Sequence, residues 1–236
     1  MTVRIFRSKG FYFYLNLIIR IVLVIAFGIA LWEQNWLNAF LSLLTLFLTF
    51  LPFIVKKRHK LELPEEIQLV IILFIYAGIF LGGVSEFYYR FWWWDSLLHA
   101  VGGIGLGFAG FLILYSLYQS GKLETSPFLI ALFSFCFALA IGALWEIFEF
   151  VMDSFFGFNM QEARGLEKVY GYFDTRLGLL DTIWDLILDS FGALVASFSG
   201  YLYLKNKEVF LFDKIVKRFE KKNPLFFKKK EGEAGD

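Results

Sequence analysis

Apolar residues in this chain neither alternate nor recur on one narrow face. They come in long blocks separated by short charged or turn-forming stretches. A bilayer core of about 30 Å needs roughly 20 helical residues at about 1.5 Å each. Six blocks of that order are legible, near residues 11–31, 36–55, 67–83, 96–118, 128–152 and 181–204. The pattern predicts an all-α fold, a polytopic membrane helix bundle of about six spans. Pro52 marks the expected end of the second block, and Lys56, Lys57, Arg58, His59 and Lys60 follow it. Pro64, Glu65 and Glu66 read as a helix start, with proline in the first turn and acids at the positive end of the dipole. The first domain is expected to span residues 1–204, followed by a basic tail, 205–236. In the tail Phe212, Ile215, Val216 and Phe219 recur at helical spacing opposite Lys214, Lys217, Arg218 and Lys221. That is the pattern of an amphipathic helix able to lie on an anionic leaflet. Residues 228–236 read as disordered.

Composition strengthens the membrane assignment. The chain is 58% hydrophobic and 21% aromatic, against about half apolar in soluble domains. A net charge of +1 suggests no nucleic-acid partner. Cys136 is the only cysteine, which excludes an intrachain disulfide and a multi-cysteine metal site. Arg4, Arg7 and Lys9 before the first block mimic a signal peptide. The block is too long for one and contains Arg20, so a retained first span is expected. Basic residues collect at the N-terminus, at 56–60 and in the tail. The positive-inside rule then predicts both termini in the cytoplasm of a cell-membrane, multi-pass protein. All seven tryptophans fall at span ends which that topology assigns to the outer interface.

The informative departures are charges inside the apolar blocks. Asp181, Asp185 and Asp189 repeat every four residues, and Gly192 follows near the direction of Asp181, leaving room there for another backbone. An aspartate near the middle of a membrane helix costs about 2.5–3.5 kcal/mol, so an offsetting interaction is required. Asp95 and His99 open the fourth block, and Glu146, Glu149 and Asp153 close the fifth on one helical face. In the predicted topology all three groups meet at the outer end, with Glu149 and Asp185 roughly 6 Å deep and Glu146 and Asp189 roughly 10–12 Å deep. The nearby cations are few: Arg90, Arg164, Arg176 and Arg20. Carboxylates plus one imidazole suit a divalent ion such as Mg²⁺, Mn²⁺ or Zn²⁺. The glycines of the fourth block, among them Gly103, Gly107 and Gly110, suit close helix packing.

Three stretches carry a resemblance: Trp94, Asp95 and His99; Trp145, Glu146 and Glu149; and Asp181, Asp185, Gly192 and Ala193. In order and spacing they resemble the YjdF-like family of membrane proteins of undetermined function, and more distantly VanZ-like proteins. The VanZ-like boxes are Asp-Lys-x-x-His, Glu-x-x-Gln and Asp-x-x-x-Asn-x-x-Gly. This chain lacks the lysine, and has Glu149 for the glutamine and Asp189 for the asparagine. Each difference makes the cluster more negative. The resemblance implies the same site and no settled reaction.

The residues admit three readings. In the first, His99, Glu146, Asp185 and Asp189 hold a divalent metal and Glu149 or Asp95 acts as general base. Arg90 or Arg176 then binds an anionic headgroup, and the protein is a hydrolase or transferase on lipid or lipid-linked headgroups. In the second, the cluster is the ion site of a cation- or proton-coupled transporter, against which the second and third blocks show no polar path. In the third, the protein is a non-catalytic scaffold or envelope-stress protein whose polar cluster fixes helix packing. The expected partner is membrane lipid, with the oligomeric state open. The loop 154–180 is expected to cover the pocket as a lid, since both its ends carry site carboxylates. Asp153 and Asp181 are equally well explained as solvated helix ends.

Overall fold

The computed structural model describes residues 9–161, 171 and 176–227. Every regular element among them is helical. In chain order these are α1 (Lys9–Trp32), α2 (Trp36–Leu48), α3 (Leu51–His59) and α4 (Glu65–Ile75), which continues as a π-helix (Tyr76–Val84). Then come α5 (Phe87–Arg90), α6 (Trp94–Gln119), α7 (Pro127–Phe156), α8 (Leu177–Leu204), α9 (Phe210–Lys222) and α10 (Pro224–Phe227). Four helical segments are long and apolar enough to cross a membrane: Gly10–Trp32, Glu65–Val84, Trp94–Gln119 and Pro127–Phe156. The bent pair α2 and α3 makes a fifth if it counts as one span. Helix α8, with its three aspartates, is not among them. The caps are those expected from composition. Ser126 accepts the Leu129 amide before Pro127 at the start of α7, and Glu65 and Glu66 lie in the first turn of α4.

The chain divides into two compact units. One comprises Met1–Asp95 with Lys217–Asn223, and the other Ser96–Val216 with Pro224–Asp236. The core of the first is Ile19, Leu23, Ile72 and Phe80. Pro52 does not end the second apolar block as its sequence suggests. The ring sits in the first turn of α3, where no amide donor is needed, and the helix resumes after a 41° bend. The basic run Lys56–His59 thereby occupies the last turn of α3, where cations suit the dipole. The bend leaves a carbonyl to satisfy, and Arg20 of α1 does so. Its Nη2 donates to the Thr49 carbonyl at 3.1 Å, its Nε donates to Thr49 Oγ1 at 3.1 Å, and its guanidinium lies 4.0 Å from the Phe50 ring centroid. With buried Ser42 and Thr45 beside Thr49, the second block is less uniformly apolar inside than its composition implies.

Residues 217–223 close the first unit through ion pairs. Arg218 pairs with Glu66, while Lys222 Nζ donates to Glu65 at 2.9 Å and to Glu62 at 3.2 Å. Lys56 also pairs with Glu62 at 2.9 Å, and the Asn223 side chain bonds both the amide and the carbonyl of Glu62. The lysine donors, Lys56 first and then Lys222, hold the Glu62 carboxyl below its ordinary pKa. Burial pulls Lys222 down, but its bonds to Glu65 and Glu62 outweigh that and raise it.

The second unit is built on α6, α7 and α8, with an aromatic cluster in which Phe212 meets Phe108 and Phe111 edge-on at 5.2 and 5.0 Å. Phe212, Val216 and Phe219 of α9 are all buried. The apolar stripe read as able to lie on a leaflet is therefore largely covered by protein, with Ile215 half-buried and Phe212 packed on aromatic rings of the chain itself. Phe210 and Leu211 remain exposed at the start of α9.

Two outcomes are expected. Thr49→Val keeps the volume of this buried side chain and removes one acceptor of Arg20, so it destabilises by about 1.5–3 kcal/mol, the worth of a hydrogen bond to a charged group. A thermal melt in detergent that matches wild type would show that Arg20 is satisfied elsewhere. The ion-pair network should lose strength at both extremes of pH. The Glu62 contribution is present above its unfolded pKa and fades as pH falls through the depressed folded value. The Lys222 contribution is present below its unfolded pKa and fades as pH rises through the raised one. Amide exchange of residues 217–223 should thus be slowest near neutral pH, after correction for intrinsic rates, and should quicken up to about fivefold in Lys222→Ala. Unchanged protection in that variant would remove the network as the cause.

Candidate functional site

The site is assembled by three helices that approach closely. Asp95 lies in the first turn of α6, where an acid suits the positive end of the dipole, and His99 follows one turn later. On α7 Gly142, Glu146 and Glu149 share one face at i, i+4, i+7. On α8 Asp185, Asp189 and Gly192 do the same. A side chain at Gly192 would run into backbone of α6, with its Cβ 2.8 Å from the Ile104 amide nitrogen. Gly103 of α6 lies in turn against the backbone of Asp189. Across the site, a Cβ at Gly142 would overlap the carboxylate of Asp189. The acids are brought together because glycine stands where each neighbouring helix comes closest.

His99 is the centre of the arrangement. Its Nδ1 is 3.4 Å from Asp189 Oδ2 and its Nε2 is 3.8 Å from Glu146 Oε1. Asp95, His99 and Asp185 each offer one ligand atom, and those atoms lie within 4.8 Å of one another. Atoms bound at about 2.0–2.2 Å to a common ion are at most about 4.4 Å apart. Side-chain adjustments of less than about 1 Å would therefore close the three onto one ion. His99, Glu146, Glu149, Asp185 and Asp189 are all less than a tenth exposed, and Asp95 is half-buried. Several carboxylates at such depth repel strongly where water cannot screen them. The chemistry open to them is to bind a cation, to share protons, or to do both.

The other expected residues have different surroundings. Glu149 accepts a bond from the Trp145 indole Nε1 at 2.9 Å, which fixes its orientation beside Glu146. Arg90, on the short α5, pairs with Glu86 at 3.5 Å, and both side chains are mostly exposed. Arg176 is exposed just before α8. Arg20 belongs to the α2–α3 bend. Arg164 lies outside the described residues, as do residues 162–170 and 172–175 of the expected lid. What is described of that loop is its anchorage. Gly157 ends α7 in the left-handed conformation at φ 69°. The Asp153 carboxylate accepts the amides of Met160 and Gln161 at 2.7 and 3.0 Å, and the Gln161 side chain donates to Thr182 Oγ1 at 3.0 Å. Asp153 is thus a loop anchor rather than a solvated helix end. Two residues escaped the sequence reading, Gly142 as the seat of Asp189 and Trp145 as the partner of Glu149. A signal for Gly142 is present in the sequence: it precedes Glu146 by one helical turn on the same face.

With this geometry in hand, the chain can be set beside known proteins. An uncharacterized protein of Thermotoga maritima is 29% identical over 148 residues, which is 61% of this chain and 66% of the relative. The match thus spans just under two thirds of the relative's length. No solved structure matches the chain. Residues 14–206, which include α6, α7, α8 and all the carboxylates discussed above, match the family described as "Predicted membrane protein (DUF2238)". The chain is accordingly an all-helical membrane protein and belongs to that family.

Proposed function

We propose that the protein holds a divalent cation between α6, α7 and α8, and uses it on a lipid or lipid-linked headgroup at the membrane surface, as a hydrolase or transferase. The observation that carries the reading is the convergence of ligand atoms from Asp95, His99 and Asp185 within 4.8 Å. It favours Asp95 as a ligand, leaving Glu149 as the candidate general base. Asp189 and Glu146, beside the two ring nitrogens of His99, orient the imidazole and complete the charge around the ion. An imidazole with carboxylates accommodates Mg²⁺, Mn²⁺ or Zn²⁺. An ion held there would supply Lewis acidity toward a phosphate or ester group, with Glu149 placed to take a proton. Arg90 and Arg176 are the proposed headgroup contacts. The YjdF-like and, more distantly, VanZ-like boxes coincide with the residues of this cluster and support its functional rather than incidental character. In the proposed topology six spans, α8 included, place both termini in the cytoplasm of the cell membrane and the site at the outer face.

A second reading is favoured by a specific observation. Gly103 and Gly142 seat Asp189, and Gly192 lies on the α6 backbone, so closely that the cluster could serve helix packing alone. Ion binding separates the two. At about 100 times its dissociation constant a bound ion adds about 2.7 kcal/mol to the folded state. In a chain of this size that is a rise of roughly 5–10 °C in melting temperature. The protein stripped with chelator should gain that rise on adding Mn²⁺ or Zn²⁺. Asp185→Asn should lose the response and, with a buried charge removed, keep or improve the metal-free melting temperature. A packing network gives the opposite pattern, with no response to metal in wild type and a lower melting temperature in Asp185→Asn.

Gly142→Ala tests the seat of Asp189. Forcing a methyl against a carboxylate in a tight contact costs about 1–3 kcal/mol, and the displaced acid should weaken the metal response. If the metal-dependent rise and the metal-free melting temperature both stay at wild-type values, Asp189 is no part of the unit.

A further inference from the structure

At the opposite end of the α7–α8 pair from the carboxylates, the two helices leave an open apolar groove of about 370 Å³. That volume lies within the roughly 300–1,000 Å³ of small-molecule sites. Its walls are Phe128, Leu132 and Phe135 from α7 and Leu194, Phe198 and Tyr201 from α8. Ala131 and Ser197 are the small residues that line it. The Ser197 hydroxyl donates to the Leu194 carbonyl at 3.1 Å, so it asks nothing of an occupant. The span from residue 194 to 201 is about 10 Å of helix, well under half of a bilayer core. A cation lies beside the groove, for Lys205 places its Nζ 5.9 Å from the centroid of the Tyr201 ring that lines it.

An apolar groove about 10 Å long with an ammonium near one end matches a definite chemistry. We propose that it holds one acyl chain of an anionic phospholipid, with the phosphate at Lys205. Neither part suffices alone. An apolar slot without the lysine takes any chain in the bilayer, and a terminal lysine without the slot takes any anionic headgroup in passing. Together they select a lipid by both ends. A second copy of this chain is a poorer occupant, because an apolar helix laid in the groove leaves the ammonium without an anion. The site is separate from the carboxylate cluster and stands whether or not that cluster binds a cation.

The test uses the full chain in nanodiscs of equal parts phosphatidylglycerol and phosphatidylcholine. Lipid retained after release into detergent is read by native mass spectrometry. Wild type should keep a bound phospholipid, with phosphatidylglycerol preferred about fivefold, the contribution of one lysine beside an anionic headgroup. Lys205→Gln should keep the lipid and lose the preference. Ala131→Phe should fill the groove and abolish retention of both lipids. Leu194→Trp, which crowds the groove from the other helix, gives the same reading should Ala131→Phe fail to fold. Ile147→Phe, at an exposed position of α7 that does not line the groove, should match wild type. Equal retention in wild type and both filling variants would mean only annular lipid and overturn the proposal. So would wild-type dimers without bound lipid that Ala131→Phe or Leu194→Trp dissociates.

Discussion

Charge removed from water must be answered within the protein, and around α6, α7 and α8 that requirement governs the packing. Asp185, Asp189, Glu146 and Glu149 are all buried. An ion taken out of water in this way carries an effective penalty of several kcal/mol. Polar contact with His99 is made only at short range, so the helices must come closer than ordinary side chains permit. Glycine at 103, 142 and 192 allows that approach. The pattern of acids and the pattern of glycines are two sides of one constraint, and substituting either disturbs the other.

The first unit solves the same problem for a cation. Arg20 sits within an apolar helix, and its donors are taken up by the carbonyl and hydroxyl of Thr49 at the α2–α3 bend. The bend supplies acceptors that an unbroken helix would have used internally. Outside the apolar blocks the requirement relaxes. Lys222, Glu62 and Glu65 make a network of long, partly exposed side chains, which titration and salt can loosen.

Polar chemistry and apolar surface are also segregated along α7 and α8. The carboxylates occupy one end of the pair, and the lipid-sized groove with Lys205 occupies the other. The two helices that carry them pack directly against each other.

The amino-acid sequence by itself determined the helical class, the membrane environment, the approximate places of the long helices, and the three groups of ionisable residues. These are properties of local pattern: block length, charge placement and the helical period. It also pointed to Gly192 as a place of close backbone approach, which the contact with Ala100 and Ile104 bears out. Only the tertiary structure decided which group each residue meets. Pro52 reads as a terminator and acts as a first-turn residue after a bend, because Arg20, distant in sequence, satisfies the carbonyl that the bend exposes. The α9 stripe reads as able to lie on a leaflet, and in the fold Phe212, Val216 and Phe219 of that stripe are buried while Ile215 is half-buried. Asp153 reads as a solvated helix end and holds the amides of Met160 and Gln161. Asp95 reads as a candidate base, and one of its oxygens lies within 4.8 Å of polar atoms of His99 and Asp185. In each case the deciding partner lies at a sequence distance or in a direction that periodicity does not encode, since a helical pattern says which face a residue occupies and not what the face opposite will be.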